Sequence, residues 1–487
     1  MPFITSLHER LVGFVFFPAT QYLYNRRGIA LEYRASRMTE LLPREDLAAL
    51  QMRKLQAVLE KASLFVPFYR QRFKQLGLPL EKIRKFEDMR AIPPLSRGDL
   101  IAAKNDLLDI RYQSSAEAVR SETRSPGEPK IFSRFRKYPL VKNTSSGSTG
   151  APTVFYEDGT VSALSWANEL RVKRWFGLCP GVREARLVRV SPDFVKNSRS
   201  NVIRKLLWNQ MILPGVNLTD MHYADIDEAL QSFKPTTIWG FTSAAAGLSR
   251  WIREHGRLPS AAGPKLVITW AAPLYEHERE IISEAFACPV TNIYGMREVG
   301  HIGAYCPANS LHVFQESHFL ETDANGELLV TFLRPTPMPF IRYRTGDLGE
   351  LAVCKCSCGR TLQIIKEFHG RTGEVFKTED GRMFSPNFWC RTFMDSRLAE
   401  TVKRFQIVYT KNNIIKIRMI IPETNRPQAE TILQGIVFNN FGVKTKIQFD
   451  YPDEIAPQIS GKYRMVINET LTSPLAPLPQ GEGKTVY

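Results

Sequence analysis

The chain has 487 residues, 43% of them hydrophobic and 23% charged, which excludes a mainly disordered, collagen-like or small disulfide-stapled protein. Sixty-five Lys and Arg against 49 Asp and Glu leave a formal charge of +16, favouring an anionic partner (nucleotide, coenzyme, acidic substrate, nucleic acid or anionic membrane surface) without choosing one. Seven cysteines are too sparse for a disulfide framework, and an odd number cannot all pair, so a reducing, cytoplasmic setting is expected.

Near the start, LVGFVFFPATQYLY (11–24) is apolar but interrupted by Pro18, and falls short of the roughly 20 residues that span a bilayer. No small-residue cleavage site follows it. A helix packed on the protein itself is expected, with an interfacial helix and peripheral membrane contact as the alternative. From Glu40 to about Lys74, Ala48, Met52, Leu55, Leu59 and Ala62 recur at alternating four- and three-residue spacing, which predicts a buried helical stripe limited by Pro67. In IPPLSRGDL (92–100), Ser96 is the expected helix cap. Residues 120–142 hold seven Lys or Arg, two Glu and three prolines, the composition of an exposed insertion. A second basic field, 171–205, has ten Lys or Arg and is expected to be a solvated face, with an anion-steering surface as the alternative.

The middle alternates strand-like runs (TTIWG 236–240, KLVITW 265–270, PVTNIYG 289–295) with the helix-like HEREIISEAF 277–286, and this alternation predicts an α/β fold. GELLVTFL (326–333) and GDLGELAVC (346–354) add strands or a β-rich lobe. A boundary is expected near 369–373. Beyond it RFQIVYT (404–410) and IIKIRMII (414–421) predict paired strands, and AETILQGIVFNNFG predicts a helix with its stop. The expected layout is a helical extension 1–60, a large domain 61–369, a small α+β domain 370–475 and a flexible tail 476–487.

SSGSTGAP (145–152) is the most informative short motif: glycines let backbone N–H groups turn toward phosphate oxygens, and the Ser and Thr hydroxyls add donors. It lacks the GK[ST] ending of the nucleoside-triphosphatase loop. Cys306, His312 and the run Cys354, Cys356, Cys358 offer thiolates and an imidazole, which suit Zn²⁺ in a four-ligand site. Buried or reactive cysteines remain the alternative on chemistry alone, with Cys354 and His318 as competing ligands. Trp239, Phe241, Trp270 and Ala272 are candidates for an apolar acid pocket or for plain core.

Taken in order, SSGSTGAP, YGMREVG (294–300), YRTGDLGEL (343–351), GRTGE (370–374) and SGKYR (460–464) resemble the adenylate-forming enzyme superfamily. The likeness is to its phenylacetate–coenzyme A ligase branch, which includes relatives linked to capsular polysaccharide biosynthesis. It runs from about 50 through 467, with VPFYRQRF and IPPLSRGDL contributing. The resemblance implies a large multilobed N-terminal domain, a small mobile C-terminal domain, and ATP-dependent activation of a carboxylic acid to an acyl-adenylate, followed by transfer to coenzyme A. Thr149, with Ser145, Ser146, Gly147, Ser148 and Gly150, would hold the β- and γ-phosphates; Tyr294 would lie near adenine. Asp347 would accept from the ribose hydroxyls and Arg371 would contact phosphate or ribose. Glu298 would bind Mg²⁺, and Lys462 would bridge carboxylate and α-phosphate. Members of the branch carry a corresponding Cys–His and Cys-x-Cys-Gly arrangement, which implies Cys306, His312, Cys356 and Cys358 as zinc ligands.

Three departures stand out. Arg297 occupies a position commonly Ser or Thr, Gly373 and Glu374 replace an acidic pair, and AAP (271–273) replaces a Gly-Glu arrangement. They keep other outcomes open: transfer to a phosphopantetheine carrier protein or an amine, or a nucleotide-binding homologue without catalysis. No zinc finger or sequence-reading module supports a specific nucleic-acid partner.

Overall fold

The computed structural model describes residues 7–17, 19, 28–121, 140–145, 153–190, 199–216, 218–256, 263–377, 383–396, 398, 401–412, 414–442, 445–455 and 464–470. Strands β1 (Val141–Ser145) and β2 (Thr153–Glu157) pair antiparallel, with Ser145 opposite Thr153, and so bracket the Gly-rich loop at its base. Of the insertion expected over 120–142, residues 122–139 lie outside the described residues, as does the tail expected over 476–487.

Among the described residues the largest sheet has 11 strands. Its first half comprises β3 (Glu184–Val188), β4 (Gln210–Pro214), β5 (Thr237–Phe241), β6 (Leu266–Trp270) and β7 (Val290–Met296). These run parallel in the order β4-β3-β5-β6-β7. Parallel strands are covered on both faces, which is why LVITW reads as a nearly continuous apolar run. Helices Asp220–Phe233, Thr242–Glu254 and Glu276–Phe286 contribute Ile226, Leu230, Ala244, Leu248, Ile252 and Ile282 to the core they share with Ala185, Leu187, Ile238 and Val267.

From β7 the direction changes. β8 (Gly300–Tyr305) returns antiparallel to β7, followed by β9 (Leu311–Val313), β10 (His318–Thr322), β11 (Glu327–Phe332), β12 (Tyr343–Ala352) and β13 (Ile364–Arg371). Gly295 permits the close return: a Cβ there would lie 2.5 Å from the carbonyl oxygen of Gly300.

After β13 come the short pair β14 (Phe376–Lys377) and β15 (Met383–Phe384), then a separate four-stranded sheet of β16 (Arg404–Tyr409), β17 (Ile414–Ile420), β18 (Lys446–Asp450) and β19 (Val466–Asn468). β16 and β17 form the expected antiparallel pair. Trp389, Phe393, Ile407, Tyr409, Ile417, Leu433 and Val437 make its core, and helix Arg426–Phe441 stops at Gly442, which adopts φ +93°.

Two expectations are corrected. The helix expected over 40–74 is two helices, Arg44–Phe65 and Pro67–Gln75, because the residue before a proline is pushed out of the helical region and Val66 takes φ −112°, ψ 108°. Pro67 therefore starts a helix as well as limiting one. The stripe is also shifted: Leu47 and Gln51 are buried while Ala48 and Met52 are only half-buried. Gln51 is accommodated because its amide donates to the carbonyl of His318 at 3.0 Å.

The second correction concerns the basic field at 171–205, where Arg183 is exposed but Arg171, Lys173 and Arg186 do not lie on a solvated face. Arg171, on helix Thr160–Trp175, is fully buried and bonds Glu40 at 3.2 Å and Glu316 at 2.6 Å. Lys173 pairs with Glu184, and Arg186 pairs with Glu184 and Glu169, all of them buried. Buried charges persist where partners satisfy them; Glu184 stands two positions from Arg186, but Glu40 and Glu316 lie 131 and 145 positions from Arg171. Ser96, by contrast, is the expected cap. Its hydroxyl accepts from the Asp99 N–H at 3.1 Å, and the Asp99 carboxylate accepts from the Ser96 N–H at 2.7 Å.

Candidate active site and metal centre

Ligands of open α/β sheets sit at the carboxyl ends of the parallel strands, where strand order changes. Tyr294 lies at that end of β7. Its hydroxyl donates to Asp347 Oδ2 at 2.8 Å, and its ring meets Phe368 edge-on at 5.2 Å. The β12–β13 register sets Asp347 opposite Arg371, whose Nε is 3.9 Å from Asp347 Oδ1. Burial, reinforced by the Asp347 carboxylate, holds the Tyr294 hydroxyl well above the usual phenol range, so it remains a donor.

Glu298 occupies the turn between β7 and β8. It is buried, and Tyr343 donates to its Oε1 at 3.4 Å. Burial raises its carboxyl, opposed by the Tyr343 hydrogen bond and by Arg97 and Arg297. Arg297 itself donates to the carbonyl of Thr144 at 2.7 Å. That bond fastens the β7–β8 turn to the strand that leads into the Gly-rich loop. Of the loop, Ser146, Gly147, Ser148, Thr149 and Gly150 lie outside the described residues, as does Lys462; Ser145 is described as the last residue of β1.

One contact is not legible in the motifs. Arg464, two residues beyond Lys462, donates from Nε to Glu374 Oε1 at 3.3 Å. Burial raises the Glu374 carboxyl, while Arg371 and Arg464 pull it back. The GRTGE and SGKYR segments are thus joined on the side where Asp347 and Arg371 meet. A Glu and an Arg 90 positions apart give no local signal of pairing.

The four pocket candidates also sit near one another. Phe241 stacks on Trp270 with centroids 4.8 Å apart, and Trp239 lies 6.5 Å from Trp270. Trp239 is buried, with the Arg186 guanidinium 5.0 Å from its ring, so it belongs to the core as well as to the aromatic wall. The Trp270 Nε1 is buried without a hydrogen-bond partner among the described residues. Ala272 contributes its carbonyl, which accepts from Thr242 Oγ1 and Asn292 Nδ2, each at 3.1 Å. Its neighbour Ala271 has φ +70°, a left-handed conformation costly for any residue with a Cβ.

The cysteine–histidine cluster is drawn together by β8–β9 pairing and by the segment after β12. Ligand atoms of Cys306, His312, Cys356 and Cys358 all lie within 4.8 Å of one another. Cys306 and Cys356 Sγ atoms are 3.7 Å apart, and His312 Nε2 is 3.2 Å from Cys358 Sγ. The other His312 nitrogen is 3.2 Å from the carbonyl of Leu362, which orients the ring with Nε2 toward the sulfurs. Burial lowers the His312 pKa to about 4, keeping the imidazole in its neutral, ligating form. Of the competitors, Cys354 is exposed and outside this group, and His318 is engaged with Ser317 and the Val299 carbonyl.

Residues 377–469 match the family described as the CapK C-terminal domain. Over 91% of its length the chain is 25% identical to the phenylacetate-coenzyme A ligase of Thermus thermophilus, covering 96% of that protein. It is 24% identical to Protein CapK of Staphylococcus aureus, across 68% of this chain and 75% of the relative. The crystal structure of 2-hydroxyisobutyryl-CoA ligase in the postadenylation state, in complex with R3-HIB-AMP, aligns at TM-score 0.64 and 20% identity, over 88% of this chain and 91% of that one. The chain is a homologue of the phenylacetate–coenzyme A ligases and of CapK. Its fold is that of the adenylate-forming coenzyme A ligases.

In this ligase homologue, residues noticed in the sequence only as departures help to hold the motifs in place. Arg297 ties one motif to the base of another, and Glu374 ties the fourth to the fifth. Arg97, in the same IPPLSRGDL segment as the helix cap, donates to Thr153 Oγ1 at 3.0 Å and bears on Glu298 electrostatically.

Proposed function

We propose that the chain uses ATP to activate a carboxylic acid and then passes the acyl group to the thiol of coenzyme A. In the first step a carboxylate oxygen attacks the α-phosphorus and pyrophosphate leaves, giving an acyl-adenylate. In the second the thiolate attacks the acyl carbonyl and AMP leaves. The observation that carries this reading is the Tyr294–Asp347–Arg371 assembly at the carboxyl end of the parallel strands, within the same turn-and-strand region as Glu298.

Asp347 would accept from the ribose hydroxyls while Arg371 faces the phosphate side and Tyr294 flanks adenine. Ser145 to Gly150, Thr149 included, would wrap the β- and γ-phosphates, and Lys462 would stabilise charge on the reacting oxygens. Residues 370–475 would move as the small unit that presents Lys462 for adenylation and withdraws it for thiol attack. Glu298 suits Mg²⁺ as an oxygen ligand, and that ion would offset phosphate charge. Phe241 and Trp270 favour a flat or apolar acid, with the unpaired Trp270 Nε1 as a donor for a polar substituent. The match to the CapK C-terminal domain supports testing polysaccharide-linked acids beside aryl acids.

Cys306, His312, Cys356 and Cys358 fit Zn²⁺, which prefers four sulfur and nitrogen donors in structural sites. It would fasten the β8–β9 turn to the segment 353–363 and take no part in the chemistry.

Acid-dependent exchange of labelled pyrophosphate into ATP tests the first step. Lys462→Ala is expected to lower exchange by about 10²–10³-fold while leaving ATP binding intact. ATP binding without exchange across aryl, aliphatic and sugar-linked acids would overturn the proposal. Parallel assays with free coenzyme A, a phosphopantetheine carrier protein and amines identify the acceptor.

A further inference from the structure

The N-terminal segment is seated on the body by backbone contact. Helix Leu7–Leu11 continues as a π-helical turn, Val12–Phe16. A Cβ on Gly13 would lie 2.4 Å from the Pro180 carbonyl oxygen, and one on Gly181 would lie 2.1 Å from that of Glu9. The two backbones therefore touch where side chains would separate them. Val12 and Phe17 turn inward, with the Phe17 ring 5.3 Å from Trp166 and 6.4 Å from Trp208.

That seating fixes what points outward. Leu7 is 75% exposed, Phe14 68% and Val15 50%. Helix Arg199–Trp208 packs alongside, with His8 Nε2 3.3 Å from the Leu206 carbonyl, and exposes Val202, Ile203 and Leu206. Both segments thus bury aromatic rings on one side and display aliphatic and aromatic side chains on the other. Isolated exposed leucines need no explanation, but seven large apolar side chains on two packed helices, Leu11 included, do.

The charges around this face indicate what covers it. Helix Arg199–Trp208 has no acidic residue, Lys205 is exposed on it, and Arg204 lies over the Trp208 ring at 4.5 Å. Arg10 is exposed on the first helix, where Glu9 is the single acid and is half-buried. Lysine is depleted at the centres of protein–protein interfaces, whereas apolar side chains rimmed by Lys and Arg suit a bilayer interface with anionic headgroups. Among the described residues no helix is long and apolar enough to cross a membrane, so contact would be from one side.

We propose that Leu7–Phe16 and Arg199–Trp208 form a docking face for anionic lipid bilayers. Phe14, Val15, Ile203 and Leu206 enter the headgroup–acyl boundary, and Arg10, Arg204 and Lys205 meet lipid phosphates. The inference is independent of the ligase reading, since its tests read binding rather than turnover.

The test is co-sedimentation of the full chain with vesicles of phosphatidylcholine alone and of phosphatidylcholine mixed equally with phosphatidylglycerol. Binding to the mixed vesicles, weakened by salt, is expected. Phe14→Ser combined with Leu206→Ser should lower that affinity at least about tenfold, and Lys205→Glu several-fold, with the melting temperature unchanged. As a second measurement, Phe14→Trp should be quenched by brominated acyl chains in the mixed vesicles. Equal binding to both vesicle types, unaltered binding by the double variant, or no quenching at position 14 would each overturn the proposal. So would a concentration-dependent dimer that the double variant abolishes without any vesicle binding, since a second copy would then cover the face.

Discussion

One basic stretch of sequence has two fates. Arg171, Lys173 and Arg186 lie inside, paired with Glu40, Glu316, Glu184 and Glu169, whereas Lys205, on the helix that follows β3, is exposed beside bare apolar side chains. The same residue types serve as internal wiring in one place and as a surface charge in the other. What separates them is the supply of carboxylates: Arg171 draws on distant chain, with Glu40 from before helix Arg44–Phe65 and Glu316 from between β9 and β10, whereas Lys173 and Arg186 use Glu184 and Glu169 on the neighbouring strand and helix. A charge is buried only when such partners arrive.

The largest expected effect lies on the buried side. Arg186→Met leaves Glu169 and Glu184 with an uncompensated charge and should cost about 3–5 kcal/mol in urea denaturation. Lys205→Met should stay within about 0.5 kcal/mol. Similar losses from both would erase the distinction.

Acid titration examines the same cluster from the other partner. Burial would raise the Glu184 carboxyl, but Arg186 and Lys173 outweigh it and hold the pKa at about 2, against 4.5 for an ordinary glutamate. A depressed carboxylate gives stability that is present above its unfolded value and lost as pH falls through the folded one. Stability should therefore decline between about pH 4.5 and pH 2. Chemical denaturation across that range should show a shallower decline in Arg186→Met than in the parent chain.

The cysteine–histidine cluster adjoins this region: the His312 ring lies 6.1 Å from Trp175, whose Nε1 donates to Glu40 at 2.8 Å. Removing zinc with a chelator should lower stability by about 3 kcal/mol if the ion is present at 100 times its dissociation constant, read as a fall in melting temperature. Cys358→Ser should abolish the difference between chelated and zinc-supplied protein, and Cys354→Ser should preserve it. A smaller effect concerns Ala271, held at φ +70°; Ala271→Gly should stabilise by about 1 kcal/mol in the same denaturation assay.

Much of the parallel half was legible because its signals are local. LVITW and TTIWG are apolar enough to be covered on both faces, and Ser96 with Asp99 satisfies its own helix end. Ala48 and Met52 misled because a stripe defined by apolar residues alone omits Gln51, which is buried on a hydrogen bond to residue 318. Among site residues, Tyr294, Asp347 and Arg371 were named from their motifs, yet their mutual contacts depend on β12–β13 register and on β7 ending beside them. Arg297 and Glu374 were noticed as departures; their partners, Thr144 and Arg464, were not foreseeable because each lies about 90 or more positions away.

By itself the sequence determined the elements and the chemistry on offer: alternating strands and helices, a Gly-rich loop, a carboxylate, a guanidinium, three thiols and an imidazole in a set order. Those follow from backbone preference and side-chain identity, which act over a few residues. Only tertiary structure decided which basic residues are buried, which cysteines group with His312, and which apolar helix faces stay outside. These depend on how separate elements pack together, and a group's solvation is set by everything that surrounds it.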